Sequence, residues 1–149
     1  VRIAGNIVKK DILGSMEFAW TVAGSKLIVV LGHSKCGAVK GACDHVEMGN
    51  LTELLSKIQP AVYQEKETTD EKTTKNSGFV ENVAEINVKR SVKNIIERSF
   101  VLEQMLEEGQ IGIVGAMHDI ESGKVIFYDD VMYIKDNSNP EFTVSDLRH

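Results

Sequence analysis

The period of the apolar positions changes several times along the chain, and each change predicts an element. Arg2 to Val8 reads as the tail of a strand running into a loop. Ser15 to Ala23 reads as a helix, with Ser15 placed as its N-cap and Gly24 as its C-terminal stop. Leu27 to Leu31 is a continuous apolar run rich in β-branched residues, which predicts a parallel strand covered on both faces. Gly32 to Gly37 turns sharply, and Ala38 to about Met48 continues as a helix. Leu51, Leu54, Leu55 and Ile58 keep helical spacing within 51–64, where Pro60 should kink or restart the helix.

Residues 65–78 lack apolar positions and read as a surface loop. From Phe79 to about Glu108, Val80, Val83, Ala84, Val88, Val92, Ile95 and Ile96 recur at three- and four-residue spacing. One long helix or two consecutive ones are expected there, ended by Gly109. Ile111 to Met117 and Lys124 to Tyr128 read as two strands joined by the short turn 119–123, a hairpin. Residues 135–149 form a polar tail. The 149 residues suit one α/β domain: a mostly parallel central sheet flanked by helices, with a C-terminal antiparallel hairpin.

Composition narrows the possible partners. No apolar run approaches the ~20 residues that span a bilayer, so no membrane partner is expected. Seventeen basic residues against twenty-two acidic ones give a net charge of −5, with no basic stripe or interleaved aromatics, so nucleic acid is not an expected partner either. Cys36 and Cys43 sit on one predicted helix, ~10 Å apart at a rise of ~1.5 Å per residue, too far for a disulfide. That cysteine usage predicts a reducing, cytoplasmic setting.

The informative run is Leu27-Ile28-Val29-Val30-Leu31-Gly32-His33-Ser34-Lys35-Cys36-Gly37-Ala38-Val39. It reads as a buried strand, a histidine and cysteine three apart, and then a helix. Ligands of open α/β sheets gather beyond the carboxyl ends of the strands, where this turn delivers both side chains. The amides and dipole of a helix N-terminus favour the thiolate that a zinc ion requires. Gly32 and Gly37 should allow the backbone to bend and approach closely. A lone His-x-x-Cys is weak evidence for metal, and a satisfied histidine beside a buried thiol is the better reading of the pair alone.

The wider pattern resembles the β-class carbonic anhydrases, whose second zinc motif is a strand followed by Gly-His-x-x-Cys-Gly. Arg2-Ile3-Ala4-Gly5-Asn6 is similar to that family's Arg-Asn-Ala-Gly-Asn segment, and Ser15-Met16-Glu17-Phe18-Ala19 to its Ser-x-Glu-Tyr-Ala helix. Gly115-Ala116-Met117-His118-Asp119 with Gly123-Lys124-Val125 resembles its late hairpin. The resemblance implies that His33 and Cys36 are zinc ligands, that the Gly37 amide lies near the substrate, and that Ala4 lines a small apolar pocket for carbon dioxide. It further implies reversible hydration of carbon dioxide to bicarbonate by a zinc-bound hydroxide, and a homodimer or higher homo-oligomer, with Met16, Phe18 and Trp20 placed either at a subunit contact or in the core.

The family also supplies a zinc-binding cysteine and a catalytic Asp-Arg pair from an earlier Cys-x-Asp-x-Arg segment, which these residues do not contain. The chain opens on Val1 inside the segment that should follow it, so an N-terminally incomplete chain is expected, impaired unless that segment is supplied. Cys43 and His45, about two turns along the predicted helix from Cys36, are expected to be bystanders. His118, Asp119 and His149 are read as a strand-end residue, a turn former and part of the tail. The alternative to an enzyme is a non-catalytic module that keeps the fold for assembly or anion sensing.

Overall fold

The computed structural model describes residues 1–135, so the predicted tail lies outside the described residues apart from Lys135. Among the described residues six α-helices and three strands follow a short 3-10 turn: α1 (Lys10–Thr21), β1 (Leu27–His33), α2 (Gly37–Cys43), α3 (Gly49–Ser56), α4 (Gln59–Gln64), α5 (Ser77–Arg98), α6 (Phe100–Glu107), β2 (Gly112–His118) and β3 (Val125–Tyr133). The sheet order is β1-β2-β3, parallel between β1 and β2 and antiparallel between β2 and β3.

The two long helical signals behave as their spacing predicts. Pro60 stands in the first turn of α4 and so restarts the helix after α3. Phe79 to Glu108 divides at Ser99, which closes α5 and caps α6 by accepting a hydrogen bond from the Leu102 amide at 3.2 Å. Gly109, at φ +68°, ends α6.

Several local expectations are corrected. Arg2 to Val8 is not a strand: Ala4–Asn6 form a 3-10 turn with Gly5 at φ +69° and Asn6 at φ +40°. Helix α1 starts five residues before Ser15, whose hydroxyl donates to the Asp11 carbonyl inside the helix and caps nothing. Helix α2 stops at Cys43, because His45 takes a left-handed conformation at φ +52°. Strand β1 runs on to His33, and β3 reaches Tyr133 past an irregularity opposite Val114 and Gly115. The 65–76 stretch has no helix or strand, but it is not wholly a surface excursion. Glu65 is buried, accepting bonds from the Thr68 amide and hydroxyl and from Asn82, with Lys72 at 3.8 Å.

The largest correction concerns β1. Its residues alternate strictly between exposed and buried, so only one face is covered. On that face Ile28 and Val30 join Leu13 and Met16 of α1, Val88, Val92 and Ile95 of α5, and Leu102 and Leu106 of α6. A second cluster lies under α2, α3, α4 and the first half of α5, around Val39, Leu55, Ile58, Phe79 and Val83. On the opposite face Leu27, Val29 and Leu31 remain 43–46% exposed. They lie in register with Gly112, Val114 and Ala116, and these in turn adjoin Met132 and Phe127 of β3.

Candidate active site

Why the chain turns where it does after β1 is visible residue by residue. His33 ends the strand in register with His118 of β2, and the Ser34 amide donates to the His118 carbonyl at 2.9 Å. The Ser34 hydroxyl bonds the Asp119 carboxylate at 3.2 Å and accepts from the Ile120 amide at 3.0 Å. The His-x-x-Cys turn is therefore tied to the hairpin turn that closes β2 and β3. Lys35 takes φ +56° and pairs with Glu121 across the two turns. Cys36 then enters α2 as its N-cap residue, with its side chain buried.

The reversal after β1 depends on Lys35, since neither flanking glycine has positive φ. Gly32 is required for a different reason. A Cβ there would stand 2.6 Å from the Val88 Cγ2 and 3.1 Å from the Met117 Cε, so α5 can approach β1 only where the side chain is absent. Around Gly37 the space is open, with no atom within 4 Å of a Cβ built there.

Sequence places Ala4, His33, Cys36 and Gly37 far apart in two segments, yet all four line one cleft of about 890 Å³. Its wall also includes Arg2, Trp20 and His118. The 3-10 turn carrying Ala4 is held against α5 by two buried side chains: Asn87 donates to the Gly5 carbonyl at 2.7 Å, and the Ser91 hydroxyl to the Asn6 carbonyl at 2.9 Å. Gly5 can sit there because a Cβ would meet the Ile58 Cδ1 at 2.5 Å.

Fitness for a metal can be judged from the donors. The His33 Nδ1 lies 2.8 Å from the Ser34 carbonyl oxygen. A proton on Nδ1 satisfies that oxygen and leaves Nε2 as the free lone pair, the arrangement in which a backbone carbonyl orients a metal-binding imidazole. Cys36 lines the same cleft as His33, so residues bearing a nitrogen and a sulfur donor of the kinds zinc accepts share it. These residues fit half of a tetrahedral set. Among the described residues no group of three or more His, Cys, Asp or Glu side chains could hold a metal ion.

The other sequence candidates separate from this cleft. Cys43 is buried in the second cluster, and burial, reinforced by the Asp44 charge, pushes its thiol up to about 11. Both cysteines are free thiols. His45 stacks on Tyr63 with ring centroids 6.3 Å apart. Met16 is buried and Trp20 packs on the first cluster, whereas Phe18 is 62% exposed. Asp119 serves the turn, accepting from the Ser34 and Ser122 hydroxyls and the Glu121 and Ser122 amides. The anchoring of Ser34 by Asp119 was not read from the sequence. The visible signal was an Asp opening a Gly-terminated turn, without any sign of which loop it would hold.

A mixed sheet with its helices on one face, and a histidine and a cysteine at the carboxyl end of a parallel strand, defines the class: an α/β domain with its cleft at the strand ends. The family model for carbonic anhydrase matches residues 1–125, and the chain belongs to that family, in its β class. Carbonic anhydrase 2 of Mycobacterium tuberculosis is 28% identical over 136 residues, covering 88% of this chain and 62% of that protein. The fold is similar to a tetrameric β-carbonic anhydrase of Sordaria macrospora at a TM-score of 0.71 and 27% identity, over 85% of this chain and 65% of that one. The β-carbonic anhydrase CcaA superimposes at a TM-score of 0.77 with 21% identity, over 99% of this chain and 70% of that chain. The chain thus spans less than two thirds of the length of the curated relative.

Proposed function

We propose that the protein carrying this chain catalyses the reversible hydration of carbon dioxide to bicarbonate, with His33 and Cys36 as two of the ligands of a zinc ion. The observation that carries this reading is the convergence of His33, Cys36, Ala4 and Gly37 on one cleft at the end of β1. Membership of the carbonic anhydrase family supports it. When bound, zinc supplies the Lewis acidity that makes a water nucleophilic near neutral pH.

The chain's own residues do the positioning. Ser34 holds the imidazole through its carbonyl and is itself held by His118 and Asp119. Burial of Cys36 keeps its sulfur from competing solvent. Ala4 and Gly37 offer small apolar and open surface suited to a neutral, weakly bound substrate, and Gly37 opens α2. The remaining ligands and the proton-handling groups come from outside the described residues in this reading.

Cys36→Ser in the intact protein should remove zinc and lower hydration activity by several orders of magnitude, while Cys43→Ser should leave both within about twofold. Zinc analysis beside a stopped-flow hydration assay checks this, and full zinc with full turnover in Cys36→Ser would defeat the assignment. The isolated 149-residue polypeptide, offering two donors among its described residues, should hold zinc well below one equivalent. A homo-oligomer is part of the proposal, supported by the tetrameric relative and by the exposed apolar side chains of β1 and β3.

A further inference from the structure

A second cleft, of about 490 Å³, opens where the start of α1 meets α3, α4 and the outer side of α5. Five cations line it: Lys9, Lys10, Lys57, Arg90 and Arg98. Among the described residues two acids, Asp11 and Glu53, stand with them, and Glu53 is paired to Lys57 at 3.2 Å. The cleft is thus a net-positive concavity in a chain of net charge −5. Low-dielectric walls around such a concavity focus the field and draw in anions.

The cations are presented, not neutralised. Arg90 donates to the Gln64 side-chain oxygen at 3.0 Å and Arg98 to the Val8 carbonyl at 2.7 Å, both uncharged acceptors. Each bond uses one of five guanidinium donors, fixes the fork and leaves the charge available. Lys9 and Lys10 form no ion pair among the described residues. They open α1, whose N-cap makes no side-chain cap bond, so the free amides of the first turn add to the same positive potential.

This is one face of one helix by design of spacing. Asn87, Arg90, Ser91, Asn94 and Arg98 recur along α5 at helical intervals and all line the cleft. Asn87 and Ser91 are buried and committed to the 3-10 turn behind it, which makes a rigid floor. Among the described residues no Phe, Tyr or Trp is in the lining to offer a nucleobase a stacking surface. The volume falls in the range of small-molecule sites and well above the needs of bicarbonate.

From this geometry we infer that the cleft binds a small organic phosphate carrying two phosphoryl groups, gripped by Arg90 and Arg98 on one side and by Lys9 and Lys10 on the other. Arginine forks match phosphate oxygens bidentately, and the four cations outside the Lys57–Glu53 pair, offset only by Asp11, suit the charge of two phosphoryl groups. The site is separate from the proposed zinc ligands, neither of which lines it.

The test is calorimetric titration of the full-length protein at low salt with fructose 1,6-bisphosphate as probe and inorganic phosphate as comparison. Saturable binding is expected, about tenfold or more tighter for the bisphosphate, and weakening steeply with added salt. Lys10→Gln, an exposed position with no ion pair among the described residues, and Arg90→Gln should each weaken it about fivefold to tenfold. Arg98→Lys keeps charge but loses the fork and should weaken it less, with circular dichroism melts confirming the fold. Lys93→Gln, on α5 but outside the cleft, should leave it unchanged. Cys36→Ser, which removes the proposed zinc site, should also leave it unchanged. Absence of saturation at about 10 mM probe, equal loss with Lys93→Gln, or loss with Cys36→Ser but not with Lys10→Gln and Arg90→Gln would overturn the inference.

Discussion

Gly32 shows how a single missing side chain sets the position of the site. Because α5 presses on the strand through Val88, adding a methyl at Gly32 must push either Val88 or Met117 aside. Gly32→Ala should cost about 1–3 kcal/mol, the usual range for overpacking, measurable as a lower denaturant midpoint. If His33 is the zinc ligand proposed above, zinc affinity should fall with it, since His33 follows directly. Asp119 acts from the other turn. Donation by the Ser122 hydroxyl, then by the Glu121 amide and Ser34, lowers its carboxyl from 3.8 to about 2. A folded-state value depressed below the unfolded one stabilises the turn above about pH 4, and that contribution is lost as pH falls through about 2. Carboxyl NMR titration should find the Asp119 midpoint near 2, and Asp119→Asn should abolish that dependence and loosen the Ser34 anchor.

At the scale of elements, the buried Glu65 is the notable exception to a polar connection. Burial works against its charged form, but the Thr68 and Asn82 hydrogen bonds and the Lys72 charge outweigh it and hold the carboxyl below its usual range. Removing a donor leaves a buried acceptor short, so Asn82→Ala should destabilise the protein by about 1–3 kcal/mol. Hydrogen exchange should locate the loss at the 65–76 segment and the first turns of α5. None of this was legible beforehand: a Glu among Lys, Thr and Asp looks the same whether it is solvated or serves as the anchor of a loop. The helices were legible because α5 repeats its apolar residues over many turns, so its pattern averages out local exceptions. Helix α2 is only seven residues long, and its end depends on the backbone of one residue, His45, which periodicity cannot report.

Across the whole molecule, β1 and β3 leave apolar side chains exposed on either side of the buried Val114 and Ala116 of β2. Leu27, Val29 and Leu31 with Val125, Phe127 and Met132 remain 37–49% exposed, next to His33 at the strand end. Exposed apolar area of this kind fits the homo-oligomer proposed above. Phe127→Lys should shift the protein toward smaller species in sedimentation, with little change in its helical signal. An unchanged oligomer would place the subunit contact elsewhere.

The sequence by itself determined the α/β class, the long helices, the hairpin, and the His-x-x-Cys turn at the end of β1, because these follow from local periodicity and from short-range spacing. It could also bring Ala4 and Gly37 into the reading through resemblance. Only the tertiary structure decided that β1 has one bare face, that Ala4, His33, Cys36 and Gly37 share a cleft, and that Arg90 and Arg98 meet Lys9 and Lys10 across another. Those relations join segments distant in the chain, and a residue's own neighbours in sequence carry no record of what folds against it.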